Sequence, residues 1–106
     1  MIKFALFARL EAKPGKEAEV QEFLDAALAM SHDEEATPVW FALRLSASTF
    51  GIFDAFNDEA GREAHLTGPI AQALMIRAPH LFSSPPSIEL VDVLGFKSIP
   101  NVELAA

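Results

Sequence analysis

Apolar and polar residues alternate from the start of the chain. Over residues 2–12, Ile2, Phe4, Leu6, Ala8 and Leu10 point one way, and Lys3, Ala5, Phe7, Arg9 and Glu11 the other. That is the period of a β-strand. Lys13-Pro14-Gly15-Lys16 is a turn signal, after which the period changes. Over 16–30, Val20, Phe23, Leu24, Ala27 and Leu28 recur at helical spacing and make one apolar stripe. Glu17, Glu19 and Glu22 suit the positive N-terminal end of that helix. Ser31 to Ala36 is polar and acidic and reads as a solvated connector.

Two strand-like runs follow, 38–46 and 49–56. In the first, Val39, Phe41, Leu43 and Leu45 alternate with Trp40, Ala42, Arg44 and Ser46. In the second, Phe50, Ile52, Asp54 and Phe56 alternate with Thr49, Gly51, Phe53 and Ala55. The link Ala47-Ser48 suggests a hairpin, although it lacks Asn-Gly or Gly-X turn chemistry. Asn57 or Asp58 can cap a following helix. Thr67-Gly68-Pro69 predicts a bend that divides it into pieces at about 58–66 and 69–78. Pro79, Ser83, Ser84, Pro85 and Pro86 mark a loop, and a last strand is expected at about 87–94. Gly95 to Ala106 reads as an extended tail or arm, so the domain itself is expected at 1–96 with 97–106 outside it.

The order β-α-β-β-α-β is the ferredoxin-like pattern of an α+β domain, with a four-stranded antiparallel sheet. Two helices cover one face of such a sheet. The other face should be polar in a monomer, yet these strands are apolar on both sides. A second copy is the simplest cover, which predicts a homodimer packed sheet to sheet. Composition agrees. The chain has 106 residues and is 51% hydrophobic even with its glycines left out. That is more apolar material than so small a domain easily hides.

Charge and residue inventory remove other classes. Lys plus Arg is 8 and Asp plus Glu is 15, a net charge of −7 that argues against a nucleic-acid partner. There is no cysteine, hence no disulfide scaffold, thiol catalysis or Cys-bound zinc. No uncharged stretch is long enough for a membrane span. The opening apolar run is cut by Arg9 and is too brief for a signal peptide. The expectation is a soluble, cytoplasmic protein. No Gly-rich phosphate loop or nucleophile elbow is present.

Among residues that can carry chemistry, His65 stands out. It lies about two turns into its helix, flanked by Ala64 and Leu66. There it is either a proton-transfer group or a boundary histidine bonded to a neighbouring element. Asp54 shares a strand face with Phe50, Ile52 and Phe56. A carboxylate on such a face is paired, protonated or turned to a cavity, unless that face is wet there. Arg44 and Arg9 are the candidate partners. Asp92 poses the same question on the last strand. Trp40, the single Trp, is either core or a stacking wall for a flat ligand. His32 and His80 are expected at the surface, and no histidine pair has metal-ligand spacing on one helix.

The segment from Phe53 to Leu66 resembles the antibiotic biosynthesis monooxygenase (ABM) domain family. Asp54, Phe56, Ala60, His65 and Leu66 occupy the family's acidic, aromatic, Ala and His-Leu places, and the Pro14-Gly15 turn resembles its turn before the first helix. The resemblance covers about 2–96 and implies a dimeric α+β barrel. It further implies oxidation of a small aromatic or quinol by molecular oxygen, without metal or other cofactor. His65 would be catalytic, Trp40 and Phe56 would wall the pocket, and Arg44 or Asp54 would orient the substrate. A non-catalytic ligand-binding dimer is the alternative. The haem-degrading branch carries an Asn on its first strand, a Trp closing its third and a later helical His. This chain has none of these. Ile70 stands near the place of a second His found in many quinol-oxidising members, and Tyr is absent.

Overall fold

The computed structural model describes residues 1–97. The elements are β1 (Phe4–Glu11), α1 (Glu17–Ser31), β2 (Val39–Arg44), β3 (Thr49–Phe56), α2 (Glu59–Leu66), α3 (Pro69–Leu81) and β4 (Ser87–Asp92). They form an α+β, ferredoxin-like domain whose single antiparallel sheet has strand order β2-β3-β1-β4. Residues 98–106 of the expected arm lie outside the described residues.

The strand alternation sorts the residues as the pattern implied. Leu6, Leu10, Phe50, Ile52 and Phe56 face the helices and are buried. Val20, Phe23, Leu24 and Ala27 of α1 and Ile70, Leu74, Ala78 and Leu81 of α3 close over them. Each large side chain withdrawn from water contributes about 1.5–3 kcal/mol, which makes this layer the main source of stability. Gly15, at φ 85°, turns the chain from β1 into α1 in a conformation that favours glycine.

Some boundaries differ from expectation for local reasons. The link between β2 and β3 is longer than two residues. Leu45 and Ser46 donate their N–H groups to Thr49 O, and the Ser46 hydroxyl accepts from Thr49 N. Side-chain bonding thus replaces the missing Gly turn. α3 runs to Leu81 through Pro79. The N–H that Pro79 lacks would have bonded the carbonyl of Met75, which lies on an exposed turn where water substitutes.

Among the described residues, no helix lies over the opposite sheet face. Ile2, Ala5 and Ala55 pack there with the half-buried Val39, Phe53, Val91 and Val93. Phe41 stands 6.5 Å from the Phe53 ring and is 53% exposed. On the helix side, β4 is uncovered. Leu90 pairs in register with Leu6 and Ile88 with Ala8, so both point toward the helix layer. Even so, Leu90 is 63% exposed, because α2 packs on β1 and β3 and extends to β4 through the Arg62 side chain.

Candidate functional site

Asp54 lies on the helix-facing side of β3, between Ile52 and Phe56, and is 1% exposed. What meets it is set by α2. The Asp58 side chain accepts a hydrogen bond from Gly61 N at 2.8 Å and starts the helix. His65 follows one turn after Gly61 on the same inward face, and both are buried. The helix thereby lowers the imidazole onto the sheet. Its Nε2 stands 2.8 Å from Asp54 Oδ2, and the Phe56 ring centroid lies 5.6 Å from that of His65.

The other ring nitrogen has a partner that the sequence reading left in solvent. Glu34, in the connector after α1, places Oε1 2.6 Å from His65 Nδ1. Thr37 holds the same oxygen with a hydroxyl bond of 3.1 Å. Turn bonds from Glu34 N to Ser31 O and from Thr37 N to Glu34 O fix the backbone around it. The connector can approach this closely because α2 has a glycine at the contact. A Cβ on Gly61 would lie 3.0 Å from Ala36 O. The expected solvated acidic loop is therefore corrected at one residue. Glu34 turns inward, while Asp33 and Glu35 remain exposed. A glycine inside a helix was the available signal, but nothing in the run Asp33-Glu34-Glu35 marks which acid it admits.

The site is a carboxylate–imidazole–carboxylate row. Two short contacts to one imidazole need two hydrogens, one between each pair of acceptors. Burial works against a charged His65, but hydrogen bonds and charge from Asp54, then Glu34, outweigh it and raise its pKa above the usual 6.5. Burial also raises Asp54 above its usual 3.8, against the opposing pull of His65, and the nearby Glu34 charge adds to the rise. Asp54 and His65 thus both hold a proton more tightly than they would in water. The carboxylates flank opposite edges of the ring instead of converging. Among the described residues, no group of three such side chains could hold a metal ion.

Two cavities meet at His65. The inner one, about 40 Å³, is lined by Leu6, Ile52, Asp54, His65, Ile70 and Leu74, with Leu66, Ala71 and Ile88 at the gap toward β4. A buried water needs about 10–15 Å³. The cavity as it stands therefore admits a diatomic molecule or a few waters, and an aromatic ring fits only along the gap. Asp54 Oδ1 is buried with no hydrogen-bond partner. Such an acceptor invites a donor from a bound molecule. The outer cavity, about 160 Å³, is lined by Glu34, Glu35, Thr37, Gly61, Ala64, His65, Gly68 and Pro69.

The remaining candidates are placed as follows. Trp40 pairs in register with Asp54 and packs on the main core, its Nε1 buried and unpartnered. Phe56 is fully buried beneath His65. Arg44 lies away from the row: it donates to Gln21 at 2.8 Å and lies over the Phe50 ring at 4.8 Å. Arg9 is exposed and stacks on Phe7. The partner of Asp54 is thus His65 and neither arginine. Asp92, His32 and His80 are exposed.

A search of solved structures places the chain among known folds. A crystal structure of the NE2512 protein from Nitrosomonas europaea, whose function is unknown, shares 57% identity, covers 93% of this chain and 96% of that one, and superposes with a TM-score of 0.90. A Caulobacter crescentus protein provisionally assigned as an antibiotic biosynthesis monooxygenase has 18% identity, coverage of 89% and 92%, and a TM-score of 0.74. A second protein with that provisional assignment, from Nitrosomonas europaea, has 13% identity, coverage of 87% and 90%, and a TM-score of 0.77. No protein-family model and no curated protein matches the chain.

Proposed function

We propose, for a chain that belongs to the family of the Nitrosomonas europaea NE2512 protein and has the ABM-like fold, that it is an oxygenase acting on a small phenol or hydroquinone without a cofactor. The observation that carries this reading is the buried, unpartnered Asp54 Oδ1 beside a cavity that His65 also lines. A substrate hydroxyl in the gap between α2, α3 and β4 donates to that oxygen. Its proton passes to the Asp54–His65 pair, and the electron-rich phenolate reduces oxygen held in the apolar inner cavity. For a hydroquinone the balance closes with one O₂. One oxygen atom enters the ring, the other leaves as water, and the product is a hydroxyquinone.

Asp54 touches the substrate and takes its proton in this reading, and His65 is the catalytic partner that shares it. Trp40 and Phe56 act as walls that hold Asp54 and His65 in place, and Arg44 stiffens the Phe50 end of the sheet. Two copies cover each other's open faces through Phe41, Phe53, Val91 and Val93, forming a dimeric barrel. The small inner cavity favours one second reading, a dimer that binds a hydrophobic ligand and performs no chemistry.

Oxygen uptake with a panel of hydroquinones and anthrone-type phenols tests the choice. The enzyme reading predicts uptake that falls about 10²–10⁴-fold in Asp54→Asn, the range for loss of a general base. Tight binding with no uptake in the unaltered protein contradicts it and supports the binding module.

A further inference from the structure

The two cavities at His65 are unequal, and the inequality has a use. The inner cavity has apolar walls and is lined by Asp54, whose Oδ1 is buried without a partner. The outer one is walled by the connector and by Gly61, Ala64, Gly68 and Pro69. His65 lines both and separates them. Glu34 exposes 16% of its side chain and Asp54 only 2%. Glu34 Oε2 has no protein partner, while Oε1 is held by His65 and Thr37. One carboxylate oxygen is thus committed to the ring, and the other is buried without a partner on a side chain that lines the outer cavity.

We propose that Glu34 is the proton port of this site, passing protons from His65 to the outer cavity while substrate lies in the gap beside the inner one. The resting row has two hydrogens for two hydrogen bonds. A substrate proton taken by Asp54 makes three, one more than the row can place between its members. Glu34 is the carboxylate that lines the outer cavity and the more exposed of the two, so the surplus leaves on that side. No water need cross the inner cavity, where it would quench an anion poised to reduce oxygen. The charged groups near the ring are few. Asp54 faces it from β3 and Glu34 from the connector, and Glu35 lines the outer cavity. Arg62 of α2 turns instead to the carbonyls of Ala5 and Val91 at the sheet edge. α3 presents Ile70, Ala71 and Leu74 to the inner cavity and no charge.

This port rests on reading the site as a proton-transfer centre, and its test needs no substrate. Exchange of the His65 ring N–H with solvent is followed by NMR in the unaltered protein and in Glu34→Gln, Glu34→Asp and Ala64→Leu. Gln keeps an oxygen for Nδ1–H but cannot carry a proton, so exchange slows about tenfold or more. Asp restores most of the rate. Ala64→Leu plugs the outer cavity from an exposed position, leaves Glu34 in place, and also slows exchange; it keeps the test open if Glu34→Gln fails to fold. Unchanged or faster exchange in folded Glu34→Gln, or unchanged exchange in Ala64→Leu, overturns the port. Slowed exchange in a protein that consumes no oxygen keeps the port and removes the oxygenase reading. Unchanged exchange in an active enzyme removes only the port.

Discussion

Asp54 Oδ2 lies 2.8 Å from His65 Nε2, and both side chains are almost wholly buried. The two substitutions at this contact should have different costs. His65→Ala strands Asp54 and Glu34 without their shared donor, and breaking a buried charged contact costs about 3–5 kcal/mol. Asp54→Asn keeps shape and a hydrogen-bonding group, so its stability cost is smaller, while its effect on oxygen uptake is large. Chemical denaturation alongside an oxygen electrode separates the two effects.

Stability should depend on pH with a definite sign. His65 is raised above 6.5 in the fold, so the folded row keeps a proton that the unfolded chain releases. That contribution is complete below pH 6.5 and is lost as pH rises through the folded value. Asp54, raised above 3.8, acts in the same direction from a lower starting point. The melting temperature should therefore fall as pH rises above 6.5, and the fall should be shallower in His65→Gln. Calorimetry across that range checks both.

The open face should hold two copies together. Phe41 is exposed there on the edge strand β2, beside half-buried Phe53. Phe41→Glu places a charge on that face, where it would be desolvated on association. Light scattering should find a dimer for the unaltered chain and a monomer for the variant. A stable monomer of the unaltered chain at micromolar concentration contradicts the dimer.

Gly61→Ala should weaken the protein despite the better helix former. Alanine gains about 1 kcal/mol of helix propensity. The new Cβ, however, sits 3.0 Å from Ala36 O and 3.2 Å from the capping Asp58 oxygen. Overpacking of this kind costs about 1–3 kcal/mol. We expect net destabilisation, with the Glu34–His65 contact loosened. A denaturation midpoint at or above that of the unaltered chain would count against this packing.

Much of the fold was legible because it rests on local periodicity. The switch from period two to helical spacing after Lys13-Pro14-Gly15-Lys16 marked β1 and α1, and Thr67-Gly68-Pro69 marked the break between α2 and α3. Two of the three members of the row were legible too: Asp54 was conspicuous as a carboxylate on an apolar strand face, and His65 as a histidine within a helix. Glu34 was not, because its inward turn depends on a contact between the connector and Gly61, far apart in sequence. Arg44 looked like a partner for Asp54 because it lies on the adjacent strand. The register instead puts it opposite Phe50, four pairs away, and Trp40 opposite Asp54. Strand neighbours can be guessed from sequence, but the partner of Asp54 comes from α2, which packs on β3 from above the sheet.

The central claim is that Glu34, His65 and Asp54 share protons as one unit. The most direct measurement is a pH titration of the His65 ring nitrogens by ¹⁵N NMR. The account predicts hydrogens at both nitrogens through neutral pH, and a transition above 6.5 that moves down in Asp54→Asn. A ring with one bare nitrogen that has already titrated below pH 6.5 would contradict it.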